Sequence, residues 1–379
     1  MDTVEGRSIA ESLLEYVLDV LDVHTYRLEE RSDTVMFTGR LREGSDNAFR
    51  RLQARLRPLG YHALLRQDRG QDIIVATPAP EVNPASRPWL NGVLFAATIL
   101  TTLMAGALME GRLPWRGLDA LLAGAPFSIA ILSILGTHEL GHYFVARHYG
   151  MQVSLPYFIP FLPFPFGIGT MGAVIRMKSP MTSRKALFDV GLAGPIAGLV
   201  VALPVLAIGL RMSELAPAHV AGSTVGLLLG KPLLYKAVSR LVLGPLPESV
   251  NVLLNPIAFA GWVGLFVTAM NLLPAGQLDG GHIAYAVWGR GHRYLAQTTF
   301  AGLIALGIGP FLLSKLPGIG PVPGWSGWLI WALLLSFFGL RHPPALDDVT
   351  PLAGPRRIAG ILAIALVVLL ITPVPFSLQ

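Results

Sequence analysis

The chain has no cysteine. Disulfides and thiolate ligands are therefore excluded, and any bound metal must be held by histidine and carboxylate. Charge is scarce too. Acidic and basic residues make up 14% of the 379 residues, against 53% hydrophobic ones, and the mean hydropathy is +0.56. That profile belongs to polytopic membrane proteins and not to soluble globular ones. A signal peptide is also lacking: the first twenty residues are acidic and amphipathic, with no basic start and no long apolar core. This predicts a cytosolic N-terminal domain in a protein of the cell membrane.

What charge there is falls unevenly. Up to Arg87 the chain carries 14 of its 23 acids and 12 of its 29 Lys and Arg; the remainder holds 9 acids and 17 bases. The net charge of +6 thus comes from the apolar part, where Arg and Lys flank the hydrophobic runs. Such a distribution argues against nucleic acid and for positive-inside anchoring in a lipid bilayer. The expected organisation is a soluble domain over 1–80, a proline-rich linker over 81–88 and a membrane-embedded domain over 89–379.

In the first part, Ile9 to Val20 reads as an amphipathic helix and Asp46 to Arg57 as another behind Ser45 as N-cap. Thr25 to Leu28 and Val35 to Leu41 read as strands, with Tyr61 to Arg66 and Asp72 to Ala76 as a hairpin around Arg69-Gly70. The order is α-β-β-α-β-β, a small α+β domain. Its His24 and His62 are ordinary surface or half-buried residues.

The rest is α-helical and polytopic, with about seven spans. They run from Leu90 to Met109, Ala120 to Val145, Ala186 to Leu210, Leu254 to Leu273, Ala296 to Leu313, Trp325 to Leu340 and Ile358 to Ile371. Two apolar stretches are not simple spans. Pro156 to Gly172 holds Pro156, Pro160, Pro163 and Pro165, which no continuous helix accommodates, and Met171 to Met177 alternates like a strand; together they predict a re-entrant loop and β-hairpin. Gly226 to Leu243, with Lys231, Lys236 and Arg240, predicts an amphipathic surface helix.

Near the end of the second span lies His138-Glu139-Leu140-Gly141-His142. On a helix, imidazoles at i and i+4 share a face one turn apart, close enough to bind one Zn²⁺, and the glutamate between them is placed as a general base. Three ionisable residues in five beside a membrane span demand a functional reason, since each costs about 2.5 kcal/mol or more in hydrocarbon. A catalytic zinc site needs a third protein ligand and an open position. Of the acids after Arg87, Glu139, Asp189 and Asp279 sit in strongly apolar settings. Asp279 is the best third ligand: Pro274 and the neighbouring glycines break the helix after Leu273 and free the backbone to aim a carboxylate sideways. Asp189 reads as a hydrogen-bonded pin for the third span. Gly194, Pro195 and Gly198 read as close helix packing, and Asn271 is open between packing and catalysis. His282 fits a supporting or interfacial place better than ligation, and His148, His292 and His342, beside Arg at span ends, read as interfacial.

The zinc motif, Phe188-Asp189 with Gly194-Pro195 and Gly198, and the later Asn271, Pro274 and Leu278-Asp279-Gly280 together resemble the site-2 proteases, intramembrane zinc metalloproteases. Gly276-Gln277-Leu278-Asp279-Gly280-Gly281-His282, with the soluble N-terminal domain and no PDZ-like insertion, is similar to the branch of the chloroplast ethylene-dependent gravitropism-deficient proteases and their bacterial relatives. With no transit peptide at the start, a prokaryotic member is expected.

The resemblance implies Zn²⁺ on His138, His142 and Asp279, Glu139 activating water, and Asn271 donating to the oxyanion. It also implies substrate binding along Gly172, Ala173, Val174 and Ile175, where an edge strand adds to an unwound span. Its substrates would be single-span membrane proteins; a homo-oligomer stays open. The competing readings are a membrane metal-ion transporter, disfavoured because the polar groups cluster at one depth, and a catalytically idle scaffold, disfavoured by the intact Glu139.

Overall fold

A computed structural model of the chain describes residues 4–29, 32–79, 87–163, 167–217, 227–247 and 249–378. The expected linker as far as position 86, Pro165 of the proline-rich stretch and Gly226 of the amphipathic segment lie outside the described residues. The chain divides into two compact units.

The first comprises Met1–Ala85, Lys178–Leu187 and Pro343–Arg357. Its elements are α1 (Val4–Leu18), β1 (Leu21–Glu29), β2 (Thr34–Leu41), α2 (Ser45–Leu56), β3 (Tyr61–Asp68) and β4 (Gln71–Pro78), in the expected order. The strands form an antiparallel sheet, β1-β2-β4-β3. Alternation drives it: Val35 and Phe37 of β2 and Ile74 and Ala76 of β4 are fully buried, while their sequence neighbours are only half-buried. The helices close over that face through Ala10, Leu13 and Val17 of α1 and Phe49, Leu52 and Leu56 of α2, at spacings of one helical face. Arg69 and Gly70 take φ of +49° and +82°, the left-handed pair that a tight two-residue hairpin requires.

Ser45 is the first residue of α2 and not its cap; Gly44 precedes the helix, and the Ser45 hydroxyl accepts a hydrogen bond from Thr350. The outer edge of β3 is covered from far along the chain. Leu65 N–H donates to Leu346 O at 2.8 Å and Asp348 N–H to Leu65 O at 3.2 Å, and the Arg66 guanidinium donates to Ala345 O and Leu346 O. Leu346 N–H in turn donates to Met181 O at 2.8 Å. The soluble-type unit is therefore wider than residues 1–80 alone.

The second unit holds α3 (Pro88–Met109), α4 (Leu118–Leu122), α5 (Ala125–His148), β5 (Tyr157–Pro160), β6 (Thr170–Val174), α6 (Arg184–Arg211), β7 (Glu214–Pro217), β8 (Leu227–Leu229) and α7 (Leu233–Leu243). It continues with β9 (Val250–Leu253), α8 (Pro256–Asn271), α9 (Asp279–Trp288), α10 (His292–Leu313), α11 (Gly327–Phe338), α12 (Gly354–Leu370) and β10 (Phe376–Leu378). The first residues of α6 and α12 belong to the other unit.

Among the described residues, four helical segments are long and apolar enough to cross a membrane: Pro88–Met109, Ala125–His148, Arg184–Arg211 and Asp279–Leu313, the last made of α9 and α10. These make the chain a multi-pass membrane protein. The runs expected from Leu254, Trp325 and Ile358 are helices of 16, 12 and 17 residues, below the roughly 20 that span a bilayer without help. The alternating stretch is the strand β6, paired with β5 through Tyr157 with Val174 and Phe158 with Ala173, and a further bridge joins Val153 to Met177.

Small residues let the helices approach. In α8, a side chain at Gly261 would strike Leu206 of α6, and one at Gly264 would press on Ala202 of α6 and Ile134 of α5. This is close packing of the kind apolar helices use where hydrophobicity alone cannot drive association. It places the C-terminal end of α8, with Asn271, beside the motif on α5.

Candidate metal centre

The motif residues are buried on a regular helix: His138, Glu139 and His142 are 5%, 8% and 6% exposed. The helix puts the two rings on one face, with Nε2 atoms 3.1 Å apart. Asp279 comes from the opposite direction. After α8 the chain turns through 272–278, and α9 starts at Asp279. Gly280 makes the turn possible: a side chain there would sit 1.9 Å from the Leu272 carbonyl oxygen. The Asp279 carboxylate then presents one oxygen 3.2 Å from His138 Nε2 and the other 3.3 Å from His142 Nε2. Among the described residues this trio is the group able to hold a metal ion.

The orientation of His142 is fixed from behind. Its Nδ1 lies 2.8 Å from the Val190 carbonyl of α6. A carbonyl only accepts, so Nδ1 carries a proton and Nε2 is the ring atom that faces the carboxylate; in the neutral tautomer its lone pair is free to bind a cation. The spacings agree: ligands about 2.0–2.1 Å from a tetrahedral ion stand roughly 3.3 Å apart. Alpha6 also clears the space. A side chain at Gly194 would lie 2.1 Å from His142 Nε2, and one at Gly198 3.2 Å from His138 Nδ1. The two glycines are spaced as the two histidines are, so a bare strip of one helix faces the ligand pair of the other. They do more than allow close packing; they leave room for the rings.

Around the trio, Asn271 Nδ2 lies 3.3 Å from His138 Nε2. Residues 172–174, expected to bind substrate, lie on β6, which packs against the motif helix α5, with Val174 half exposed. Tyr149 donates its hydroxyl to Asp189, next to Val190, so Asp189 pins the start of α6 to the end of α5 as the sequence suggested.

His292 and His342, read as interfacial, are buried in the protein, 2% and 9% exposed, and gathered with His282 and Tyr285 in one aromatic group, where His282 Nδ1 and His342 Nε2 are 2.5 Å apart. His282 supports this group and is not part of the trio. Two other contributors, the Val190 carbonyl and the bare strip at Gly194 and Gly198, carry no side-chain chemistry; the i, i+4 match of the glycines to the histidines was their signal.

Residues 126–313 match the pattern of Peptidase family M50. The chain is 29% identical over 359 residues to the probable zinc metalloprotease EGY2, chloroplastic, of Arabidopsis thaliana, covering 90% of this chain and 61% of that protein. To EGY1 of Oryza sativa subsp. japonica it is 33% identical over 255 residues, 65% of this chain and 40% of the relative. To EGY3 of Oryza sativa subsp. indica it is 32% identical over 311 residues, 76% and 49%. The chain thus spans about 61% or less of each of these relatives. No solved structure matches it. Motif, trio and matches agree: residues 126–313 match Peptidase family M50, and the chain is similar to the EGY zinc metalloproteases.

Proposed function

We propose that the chain is an intramembrane zinc endoprotease that hydrolyses a peptide bond within or near a transmembrane segment of a membrane protein. The observation that carries this reading is the convergence of His138 Nε2, His142 Nε2 and the Asp279 carboxylate, with Glu139 buried beside them. Zinc held by these three residues would supply Lewis acidity to the attacked carbonyl and to water. Glu139 takes a proton from the attacking water and returns it to the departing amine as the C–N bond breaks. The Val190 carbonyl keeps the His142 ring in its ligating tautomer. Asn271, its amide at the edge of the trio, donates to the oxygen on which negative charge develops.

A helical substrate hides its amides in its own hydrogen bonds, so it must unwind before attack. Strand β6 pairs with β5 on one edge, and the reading assigns Gly172, Ala173, Val174 and Ile175 to holding the unwound segment by backbone pairing. In this reading the short helices α8, α11 and α12 complete a seven-span domain, the β5–β6 hairpin is re-entrant, and the N-terminal α+β unit lies in the cytosol. The excess of Arg and Lys in the loops assigned to that side supports this orientation. The substrates are single-span membrane proteins.

The test is Glu139→Gln. The amide cannot accept the proton, so cleavage of a single-span test substrate should fall by at least about a hundredfold while the metal is retained. A variant that cuts at the normal rate refutes the mechanism. Wild-type protein that moves zinc across liposomes and cuts nothing would make it a transporter.

A further inference from the structure

We propose that Asn91 and Thr101 of α3 are positioning residues that set the height of the β5–β6 hairpin against the motif helix α5; the catalytic meaning of this placement rests on the protease reading above. Asn91 is an amide buried to 7% exposure near the start of an apolar helix, a costly residue unless its hydrogen bonds are made. They are made to one place: Nδ2 donates to Leu155 O at 2.9 Å and to Pro156 O at 3.0 Å, the two residues before β5. Thr101 does the same at the other end. Its hydroxyl donates to Gly169 O at 2.6 Å, the residue before β6. Gly169 has φ of +82°, and a side chain there would strike the Thr101 carbonyl oxygen at 2.5 Å, so backbone lies on backbone. Between the two ties, Phe95 packs its ring against Phe158 of β5, centroids 4.8 Å apart.

The lengths agree. Asn91 to Thr101 rises about 15 Å along a helix, and the extended chain from Leu155 to Pro160, paired to Thr170, covers about 16 Å. The hairpin therefore runs along α3 in fixed register. Alpha3 is itself registered to the motif helix, because Thr102 Oγ1 and Ser128 Oγ meet at 2.7 Å in a buried contact between α3 and α5. The frame closes on α5 itself: β6 packs against that helix, and a side chain at Gly136 would lie 3.9 Å from the Phe158 ring of β5. A register shift of the hairpin by one residue would turn every side chain of β6 over and move the strand along the motif helix. The polar groups on α3 oppose that shift without touching Glu139 or the trio.

Hydrogen–deuterium exchange on the full-length, zinc-loaded protein in detergent micelles tests this without any substrate. In Asn91→Leu with Thr101→Val, amides of 157–160 and 170–175 should exchange about tenfold or more faster, while those of 128–148 and 256–271 and the zinc content stay as in wild type. Thr101→Ser, which keeps the hydroxyl, should restore the protection of 170–175. Unchanged exchange in the hairpin overturns the proposal; so does faster exchange spread equally over all helices, which would make these residues general packing. Cleavage of a single-span test peptide adds the catalytic consequence: KM rises more than kcat falls. If Glu139→Gln also cuts normally, the protease reading fails while the exchange result still decides the positioning.

Discussion

The two units bury acid in opposite ways. In the first, the buried carboxylates among the described residues are finished by nearby protein N–H groups: Asp72 accepts from Leu41 N–H at 3.0 Å and Gln67 Nε2 at 3.1 Å, and Asp347 accepts from Val349 and Thr350 N–H at 3.1 and 3.0 Å. Nothing further is needed there. In the second, Asp279 faces the Nε2 atoms of two imidazoles, that of His142 turned toward it by the Val190 carbonyl behind the ring. The first unit meets these acids with amide donors that leave no place for an ion. The helical unit meets Asp279 with two imidazoles, groups that bind metal, and that difference in partner is the site.

If this contrast is right, the largest effect comes from the trio. His142→Ala should remove nearly all bound zinc and all cleavage, measured by metal analysis of purified protein, because two ligands cannot hold the ion against water. Retention of zinc would put the ligand elsewhere.

A sharper probe touches no ligand. Gly194→Ala adds one methyl where His142 Nε2 stands, and in a packed helix interface neither side can yield fully. Zinc affinity should drop by about tenfold or more, since the ring must move by a large part of a metal–ligand bond. Gly302→Ala, where a side chain would meet nothing within 4 Å, is the control and should leave zinc unchanged.

The first unit should respond in stability and not in chemistry. Phe37→Ala deletes a fully buried ring and should cost about 3–5 kcal/mol, read by exchange of the amides of β2 and β4 in the full chain.

The smallest effect is that of pH on the same unit. Half-buried His62 has its pKa held below 6.5, first by burial and then by Arg57. The unfolded chain thus binds the proton more readily than the folded one. The stabilisation is present above about pH 6.5 and is lost as pH falls through the lower folded value. His62→Gln should flatten that acid-side loss, followed by the exchange of β3 amides between pH 5 and 7.

Legibility in the sequence followed the same divide. The α-β-β-α-β-β order could be read because β2 and β4 alternate cleanly; β1 was read too short because most of its residues are exposed and its register shifts between Val23 and Thr25, which separates Leu21 to Val23 from the rest. The cover on β3 could not be read: 345–348 pairs with Leu65 across the length of the membrane domain, and long-range strand pairing leaves no local periodicity. The histidine pair and Asp279 were legible because ionisable residues in apolar runs stand out. Gly194 and Gly198 were read as close helix packing, which they provide; that the space they leave is taken by the His142 and His138 rings showed only in the packing of α6 on α5. The burial of His292 and His342 left no local signal, because it is set by Tyr285 and by each other.

The most direct test is zinc-edge X-ray absorption on the purified full-length chain, with Asp279→Ala beside it. The account predicts one zinc per chain in a nitrogen and oxygen environment with two imidazoles, and loss of the metal in the variant. One zinc with three imidazoles, or an unchanged spectrum in Asp279→Ala, would move the third ligand to another residue such as His282 and contradict the central claim.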